Sequence, residues 1–422
     1  MNRLMQAALA FGALIGVSGT RPAADNWTEF RGPAGTGHSD ATGLPREWSE
    51  TKNVVWKTPI HGKGWSSPVV WGKQVWLTTG TPDGKELFAI CVDRESGKVE
   101  HDVKLFQVEK PDELWQKYNS YASPTPVIEE GRIYVHFGTY GTACLDTKTA
   151  KPLWVRNDLP CNHWRGAGSS PILHDNTLIL TFDGYDLQYL VALDKKTGKT
   201  VWKSDRSHDY GSNGKDGDTK KGYSTPIVIE AAGKHQLISP TSSAAVSLDP
   251  ATGKPLWWVS YPGHSPAQRS LYGNGLVYVT SGAGKELIAI RPDGKGDVTG
   301  THVAWKIKKG VGHKPSPVLV DDLLYVVEDN GSASCIDAKT GTQVWAQRVA
   351  GNAFSASPLY ADGVIYFFAE DGSATVIQPG REHKELGRNK LDGGKECKQT
   401  PAIAGKSFFI RTESNLYRIE QK

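Results

Sequence analysis

The sequence lacks several features that would point directly to a function. Its 422 residues contain no His-Glu-x-x-His or Cys-x-x-Cys metal motif, no Gly-x-Ser-x-Gly nucleophile turn and no glycine-rich phosphate loop. Beyond the N-terminal region, no apolar run is long enough to cross a membrane. The net charge of +4 is small for this length. We therefore predict no metal site, no catalytic residue, no nucleic-acid partner and no stable membrane insertion.

The first 24 residues resemble a secretory signal peptide. Arg3 supplies a positive start, Leu4 to Val17 form an apolar stretch, and small residues follow up to Ala24. We expect residues 1–24 to be cleaved, which makes the protein secreted or periplasmic.

A short segment recurs along the rest of the chain. In the copy from Ala192 to Trp202, an Asp lies eight residues before the Trp and a Thr-Gly pair lies between them. The Asp can accept backbone N–H groups in a turn, Gly allows positive φ, and the Trp has a large face that one hairpin cannot bury. The copies must therefore stack. Ala150 replaces the Gly in one copy, so we expect strain or another turn type there. The tryptophans at the repeated position are Trp56, Trp154, Trp202, Trp257, Trp305 and Trp345, with His101 and Leu386 in the remaining two copies.

A second motif precedes each copy and sets the number of strands. In most copies a proline, replaced once by Ser270, is followed seven residues later by a β-rich run, and the fourth copy is lengthened around Ala231 to Gln236. This pattern gives four strands per unit and eight units. The eighth unit lacks its fourth strand, and an isolated strand from Val54 to Ile60 can supply it. We therefore predict an all-β, monomeric, eight-bladed β-propeller over residues 54–422, closed by an N-terminal strand, with residues 25–53 as an extended N-terminal segment.

The Ala-x-Asp-x-x-Thr-Gly-x-x-x-Trp unit resembles the pyrroloquinoline-quinone (PQQ) repeat of quinoprotein alcohol dehydrogenases and of the outer-membrane assembly lipoprotein BamB. The segment Phe182 to Gln188 further resembles secreted bacterial PQQ-like propellers of unassigned activity. Among the dehydrogenases, the resemblance implies an adjacent cysteine pair, Glu, Asn and Asp ligands for Ca²⁺, and an Asp base. This chain has five cysteines, none adjacent to another. No cofactor is therefore expected, with PQQ and Ca²⁺ as the alternative.

Functional side chains should lie on the loops that lead into the inner strands and on the loops between second and third strands. An aromatic and basic rim there could bind an anionic or planar ligand. The alternative is a polar surface whose charges are paired across blades. The candidate rim residues are Trp65, Tyr121, Trp164, Arg165, Asp183, Asp186, Gln188, Tyr223, Arg269, His313, Lys314 and Lys398.

Three functions fit these observations. The first is a non-enzymatic scaffold that binds a protein partner, which needs only a rigid disc with exposed loops. The second is binding of a small molecule or carbohydrate at the channel mouth, with an anionic small molecule as the expected ligand. The third is a PQQ-dependent alcohol dehydrogenase, for which no catalytic residue can be assigned in this chain.

Overall fold

The computed structural model describes residues 25–114, 118–206, 217–392 and 396–421. Within them, eight mainly antiparallel sheets form a ring, so the predicted eight-bladed β-propeller is confirmed. The predicted signal peptide lies outside the described residues. Among those residues, no helix combines the length and the apolar character that a membrane crossing requires. The short 3₁₀ helices are Pro33–Gly35, Gly138–Tyr140, Gly217–Lys220 and Gly282–Gly284.

Two strands precede the first complete blade, and each later blade follows the order of the chain. These two strands are β1 (His38–Ser39), which joins the sheet of blade 7, and β2 (Val54–Pro59), which joins the sheet of blade 8. The first half of the ring comprises β3 (Val69–Trp71), β4 (Gln74–Gly80), β5 (Glu86–Asp93) and β6 (Val99–Gln107) of blade 1, β7 (Val127–Glu129), β8 (Arg132–His136), β9 (Thr142–Asp146) and β10 (Pro152–Arg156) of blade 2, β11 (Ile172–His174), β12 (Thr177–Asp183), β13 (Gln188–Asp194) and β14 (Thr200–Asp205) of blade 3, and β15 (Ile227–Ala231), β16 (Lys234–Thr241), β17 (Ala244–Leu248) and β18 (Pro255–Ser260) of blade 4. The second half comprises β19 (Leu271–Gly273), β20 (Leu276–Thr280), β21 (Leu287–Ile290) and β23 (Val303–Ile307) of blade 5, β24 (Val318–Val320), β25 (Leu323–Val327), β26 (Ser332–Asp337) and β27 (Gln343–Arg348) of blade 6, β28 (Leu359–Ala361), β29 (Val364–Phe368), β30 (Ser373–Gln378) and β31 (Lys384–Lys390) of blade 7, and β32 (Ala402–Ala404), β33 (Ser407–Arg411) and β34 (Asn415–Glu420) of blade 8. The short strand β22 (Gly296–Asp297) lies between β21 and β23 in the chain but pairs in parallel with β18 of blade 4.

The Asp of each repeat organises the turn before the outer strand. The Asp194 carboxylate accepts the N–H and the hydroxyl of Thr197, both at 2.8 Å, and these bonds hold the pKa of Asp194 below its usual range. Asp146 makes the same two bonds to Thr149. Ala150 therefore does not change the turn type; instead it adopts a φ of 53°, where an alanine is strained.

Most of the repeated tryptophans form a hydrogen bond to the neighbouring blade. The Trp154 indole N–H of blade 2 donates to the Lys195 carbonyl of blade 3 at 3.0 Å. A Cβ at Gly198, whose φ is 71°, would lie 2.8 Å from the Trp154 ring, so glycine is required for both conformation and space. Blade 1 has His101 instead of Trp, and Ala150 is in the turn of the next blade. The imidazole of His101 is smaller than an indole, and we attribute to this difference the space that the Ala150 methyl group occupies.

The eighth blade takes its outer strand from the N-terminal part of the chain. Strand β2 pairs antiparallel with β34, and Trp56 lies opposite Arg418. The Trp56 indole N–H donates to the Arg94 carbonyl of blade 1 at 2.9 Å. Trp154, Trp202, Trp305 and Trp345 make the same kind of bond to the next blade, whereas Trp257 donates to Gln236 of its own blade. The two ends of the chain therefore meet in one sheet.

The N-terminal segment before β2 crosses the channel alongside the inner strands, and we call the side of the channel that it closes the far end. Trp27 forms a β-bridge with Val70 of blade 1, and β1 pairs in parallel with β28 of blade 7. Between these contacts, the buried Arg31 side chain donates to the Pro317 carbonyl of blade 6 at 2.6 Å. The segment therefore connects blades on opposite sides of the channel.

From the far end the chain passes between blades 7 and 8 to reach β2. The Asp362 carboxylate accepts the N–H of Leu44 at 3.2 Å. Trp48 is buried against Tyr366 and Phe408, with ring centroids 6.3 and 5.8 Å away. This apolar contact fixes the segment to the ring.

Candidate ligand-binding site at the channel mouth

Hydroxyl side chains mark the start of the inner strands, at the end of the channel that we call the mouth. In seven blades a Ser or Thr directly precedes the proline position, and in blade 5 Arg269 stands there. Most of these hydroxyls accept a backbone N–H from the preceding blade at 2.9–3.0 Å, and we call the set the hydroxyl ring. The accepting residues are Thr125, Ser170, Thr225, Ser316, Ser357 and Thr400.

The hydroxyl ring surrounds a cavity of 490 Å³, a volume in the usual range for small-molecule sites. Residues from all eight blades line this mouth cavity, and Phe30 of the N-terminal segment contributes from the channel side. Its walls combine aromatic, hydroxyl and charged side chains. Those used below are Trp65, Tyr118, Tyr223, Thr125, Ser170, Thr225, Thr400, Arg165, Asp218, His264, His313, Lys314, Asp329 and Lys398.

The basic side chains of the mouth cavity have acidic partners. Arg165 Nη2 lies 2.8 Å from Asp218 Oδ2, and the buried Lys221 ammonium pairs with the other oxygen of Asp218. Lys314 Nζ lies 2.9 Å from Glu370 Oε1. The cavity therefore carries charge of both signs in close pairs.

A second network links blades 7 and 8 around Glu370. Burial raises the pKa of Glu370. The hydrogen bond from Ser355 and the charges of Lys314 and Lys398 together lower it by more, so the pKa lies below its usual value. Burial lowers the pKa of Lys398, and Glu370 and Glu396 oppose that shift. The Lys398 ammonium also lies 4.0 Å from the centre of the Trp65 ring, a cation–π contact that holds the indole against the cavity.

Two histidines lie on the blade 5 and blade 6 side of the cavity. The backbone N–H groups of His313 and Lys314 donate to Asp329 Oδ1 at 2.9 and 3.1 Å, and His313 Nε2 lies 3.2 Å from the Ser265 carbonyl. Burial lowers the pKa of His264, and the Asp218 charge opposes it. Both imidazoles can offer polar atoms to a ligand.

The structure brings together six of the twelve candidate rim residues. Trp65, Arg165, Tyr223, His313, Lys314 and Lys398 line the mouth cavity. Trp164 lies beside it, with the Arg165 guanidinium carbon 5.0 Å from the centre of its ring.

Four other candidates make local bonds away from the cavity walls. The Tyr121 hydroxyl donates to the Asp112 carbonyl at 2.6 Å. Asp183 is buried in a bidentate pair with Arg206, at 3.0 and 2.8 Å. Asp186 accepts the N–H groups of Asn162 and Leu187, both at 2.7 Å, and Gln188 donates to the Gly184 carbonyl. These side chains shape the loops around the mouth.

Arg269 extends in the other direction, toward the N-terminal segment. Its side chain is buried, donates to the Phe30 carbonyl at 2.5 Å and pairs with Glu29 at 2.8 Å. Arg269 also lines a second cavity of 340 Å³. The other walls of this cavity include Glu29 of the N-terminal segment and His174 at the end of an inner strand. The sequence predicted that Arg269 lies with the other rim residues at the mouth. The structure instead places its side chain against the N-terminal segment, which it holds at the far end.

Sequence reasoning missed Phe30, Tyr118, Asp218 and Glu370. The Ser/Thr before each inner-strand proline was a usable signal for the hydroxyl ring, and its exception in blade 5 pointed to Arg269. Phe30 belongs to a segment without periodicity, so no pattern placed it in the channel.

The residues around the mouth cavity do not match the donor set that the resemblance implies for Ca²⁺-bound PQQ. Its carboxylates, Asp218 and Asp329, are already bonded to Arg165 and to backbone N–H groups. In the described ranges, no three His, Cys, Asp or Glu side chains are arranged to hold a metal. The five cysteines are free, buried and on separate strands or loops. We derive no reaction step through PQQ.

Comparison with known proteins agrees with this architecture. A family described as outer membrane protein assembly factor BamB matches residues 48–203, 186–299 and 294–380. The quinoprotein ethanol dehydrogenase of Pseudomonas aeruginosa is 32% identical over 144 residues, which are 31% of this chain and 22% of that enzyme. The chain therefore spans about a fifth of the length of this relative.

Solved structures show the same fold at low sequence identity. BamB from Moraxella catarrhalis superposes with a TM-score of 0.60 and 10% identity, covering 87% of this chain and 99% of that one. Quinohemoprotein alcohol dehydrogenase from Comamonas testosteroni superposes with a TM-score of 0.66 and 11% identity, covering 94% and 81%. At such identities the likeness shows the fold alone.

Proposed function

Because the chain belongs to the family described as outer membrane protein assembly factor BamB, we propose that it is a secreted or periplasmic PQQ-repeat propeller that binds a small polar molecule at its channel mouth. The observation that carries the proposal is the 490 Å³ mouth cavity, to which all eight blades and Phe30 contribute. A cavity built by every blade of a rigid ring is preorganised for a ligand.

The chemistry of the walls favours an uncharged, polyhydroxylated ligand, such as a sugar, over an anion. Arg165 and Lys314 already have carboxylate partners, so an anion would have to compete with Asp218 and Glu370. The hydroxyls of the hydroxyl ring accept backbone N–H groups and retain their own protons to donate. Trp65 adds an apolar face on which a sugar ring can stack.

A direct test is a thermal-shift and calorimetric screen of the purified protein. The probes are neutral mono- and disaccharides, galacturonic acid, phosphate, and PQQ with Ca²⁺. We expect a neutral sugar to raise the melting temperature in a saturable way.

The Trp65→Ala variant should lose roughly tenfold or more in affinity, the order expected when an aromatic contact is removed. Tyr272→Ala is the matched control, because Tyr272 is exposed on blade 5 at the far end. Binding that survives Trp65→Ala, or no binding of any probe, would defeat the proposal. Tight binding of PQQ with Ca²⁺ and dye-linked alcohol oxidation would instead favour the dehydrogenase.

A scaffold role is the second candidate, and exposed apolar residues on the outer strands favour it. Leu153 and Val155 of β10 and Val201 of β14 are about half exposed on strands with a free edge. An extended segment of a partner protein can pair with such an edge. Cross-linking in the periplasm to one defined partner, abolished by Leu153→Lys with Val155→Lys but kept in Trp65→Ala, would support this role. Equal cross-linking of both variants would contradict it.

A further inference from the structure

Exposed aromatic side chains are concentrated beside the mouth. Within the described ranges, four aromatic side chains are more than a third exposed: Tyr118 (58%), Trp164 (41%), Tyr185 (39%) and Tyr272 (37%). The first three lie on loops of the mouth face, and only Tyr272 lies at the far end. Scattered surface aromatics would not gather in this way, so the grouping calls for an explanation.

Trp164 is held in a fixed orientation at some cost. Its φ is 52°, a region in which a bulky residue is strained, and its N–H donates to Asn162 Oδ1 at 2.9 Å. Tyr185 stands edge-on to it, with ring centroids 5.5 Å apart and planes at 79°. The Lys221 ammonium and the Arg165 guanidinium carbon lie 4.5 and 5.0 Å from the centre of the Trp164 ring. Strain of this kind at an exposed aromatic is typical of a functional position.

The two rings of Trp164 and Tyr185, which we call the rim platform, are continuous with the mouth cavity. Arg165 lines the cavity and also contacts Trp164. Tyr118 lines the same cavity and is exposed to solvent. A ligand that fills the cavity can therefore extend from it past the paired Arg165 and Asp218 side chains and over the rim platform.

We propose that the ligand is an oligosaccharide, with one terminal sugar unit in the mouth cavity and the next unit on the rim platform. The apolar face of a pyranose can lie on the exposed part of Trp164, while Tyr185 borders it at a near right angle. The cations beneath the indole are already paired with Asp218, so the platform itself favours no net charge on the ligand. This inference rests on the proposed function, because it assigns the ligand class of the same site.

The size of the platform disfavours a protein partner at this place. A stable protein interface buries about 800 Å² on each partner. One large aromatic side chain buries about 150–250 Å² when fully covered, and these two rings are already more than half covered. Two partly exposed rings suit a single sugar unit.

The test is a length series of neutral sugars measured by calorimetry on the full chain. The probes are glucose, xylose and N-acetylglucosamine, each as the monomer and as the β-1,4-linked dimer, trimer and hexamer. In the wild-type protein, affinity should rise roughly tenfold from monomer to trimer in at least one series and little thereafter. Trp164→Ala should remove that rise, so that the trimer binds no more tightly than the monomer, whereas Trp164→Phe should restore part of it. Tyr272→Ala is the matched control and should behave as the wild-type protein does.

The outcomes separate this inference from the proposed function. Monomer binding without a gain in the longer sugars, or a gain that survives Trp164→Ala, would overturn the oligosaccharide and keep the cavity as a small-molecule site. Absence of binding by every sugar would overturn both. A melting curve of each variant without ligand checks that Trp164→Ala folds, and Tyr185→Ala provides a second variant of the platform that carries no backbone strain.

Discussion

At its far end the channel is crossed by the chain itself, whereas at its mouth the same eight inner strands surround a cavity of 490 Å³. Trp27 and Arg31 are buried at the far end, and β1 adds a short strand to blade 7. At the mouth, the hydroxyl ring ties the strands together by side chains and leaves the centre open. One end of the channel therefore holds the ring together, and the other remains available to a ligand.

Charged side chains are also buried and paired differently at the two ends. Burial and the neighbouring Arg269 lower the pKa of Arg31 to about 9, and its guanidinium is bonded to backbone carbonyls. At the mouth, Lys314 is paired with Glu370 and remains partly exposed. Changes at the far end should therefore affect stability strongly, and changes at the mouth should affect mainly binding and pH dependence.

Deleting residues 25–60 should have the largest effect, because it removes the far-end segment and also β2 from blade 8. We expect aggregation or loss of cooperative melting, since β34 would become an exposed edge. Size-exclusion chromatography and calorimetry measure both, with a protein lacking only residues 1–24 as the control. A monomeric deletion variant with unchanged melting would show that the far end contributes no cohesion.

Trp202→Ala measures how much a buried contact between blades, away from both ends of the channel, contributes to the free energy of unfolding. Trp202 is 8% exposed and its indole N–H donates to the Pro250 carbonyl of the next blade at 3.0 Å. We expect a loss of about 3–5 kcal/mol in the free energy of unfolding, the usual range for truncating a buried Trp. Urea denaturation measures it, with the exposed neighbour Val201→Ala as the control. A loss below about 1 kcal/mol would contradict the packing between blades.

Arg269→Ser tests the far end by giving blade 5 the residue type found in the other blades. Glu29 would lose its partner in a site where Arg269 is only 2% exposed, so we expect a loss of about 2–4 kcal/mol. Lys314→Met, the comparable change at the mouth, should cost less than about 1 kcal/mol, because the Lys314 side chain is 38% exposed. Adding Glu29→Gln to Arg269→Ser should recover part of the loss. Equal losses for the Arg269 and Lys314 variants would show that the far end contributes no more to stability than the mouth does.

The smallest effect should be the pH dependence that Glu370 contributes. Its pKa in the folded protein is below the usual 4.5, so its bonds stabilise fully above pH 4.5 and are lost as the pH falls through the lowered pKa. Glu370→Gln should therefore melt below the wild-type protein at pH 7, and the difference should shrink at pH values under 4.5. Glu382→Gln, at an exposed position, is the control. A difference in melting temperature that stays constant down to pH 3 would contradict the lowered pKa of Glu370.

The fold could be predicted from the sequence because its main contacts repeat with the sequence. Trp154 and Gly198 belong to different blades, yet each recurs at a fixed place in the repeat, so one copy explains the others. The exceptions are informative too: His101 and Ala150 depart from the pattern on the two sides of the same blade boundary. Such paired departures can be read only once the neighbouring blade is known.

The site was predictable only in part, because it depends on contacts that do not repeat. The starts of the inner strands correctly indicated that Arg165, His313 and Lys314 converge, since closing the ring brings all eight starts together. The pairing of Arg165 with Asp218 depends on loop conformation, which has no period in the sequence. Phe30 reaches the cavity through a segment whose path is set by tertiary contacts alone.

The pairing of β2 with β34 also has a consequence for the timing of folding. During synthesis β2 emerges early and β34 last, so the sheet that joins them cannot form until more than 350 residues have followed β2. Loop-closure entropy grows only slowly with that length, so the cost falls mainly on the rate rather than on the final stability. Until then the chain is an open arc in which β2 lacks its partner strand, and any factor that binds such an arc would lose its site when the ring closes.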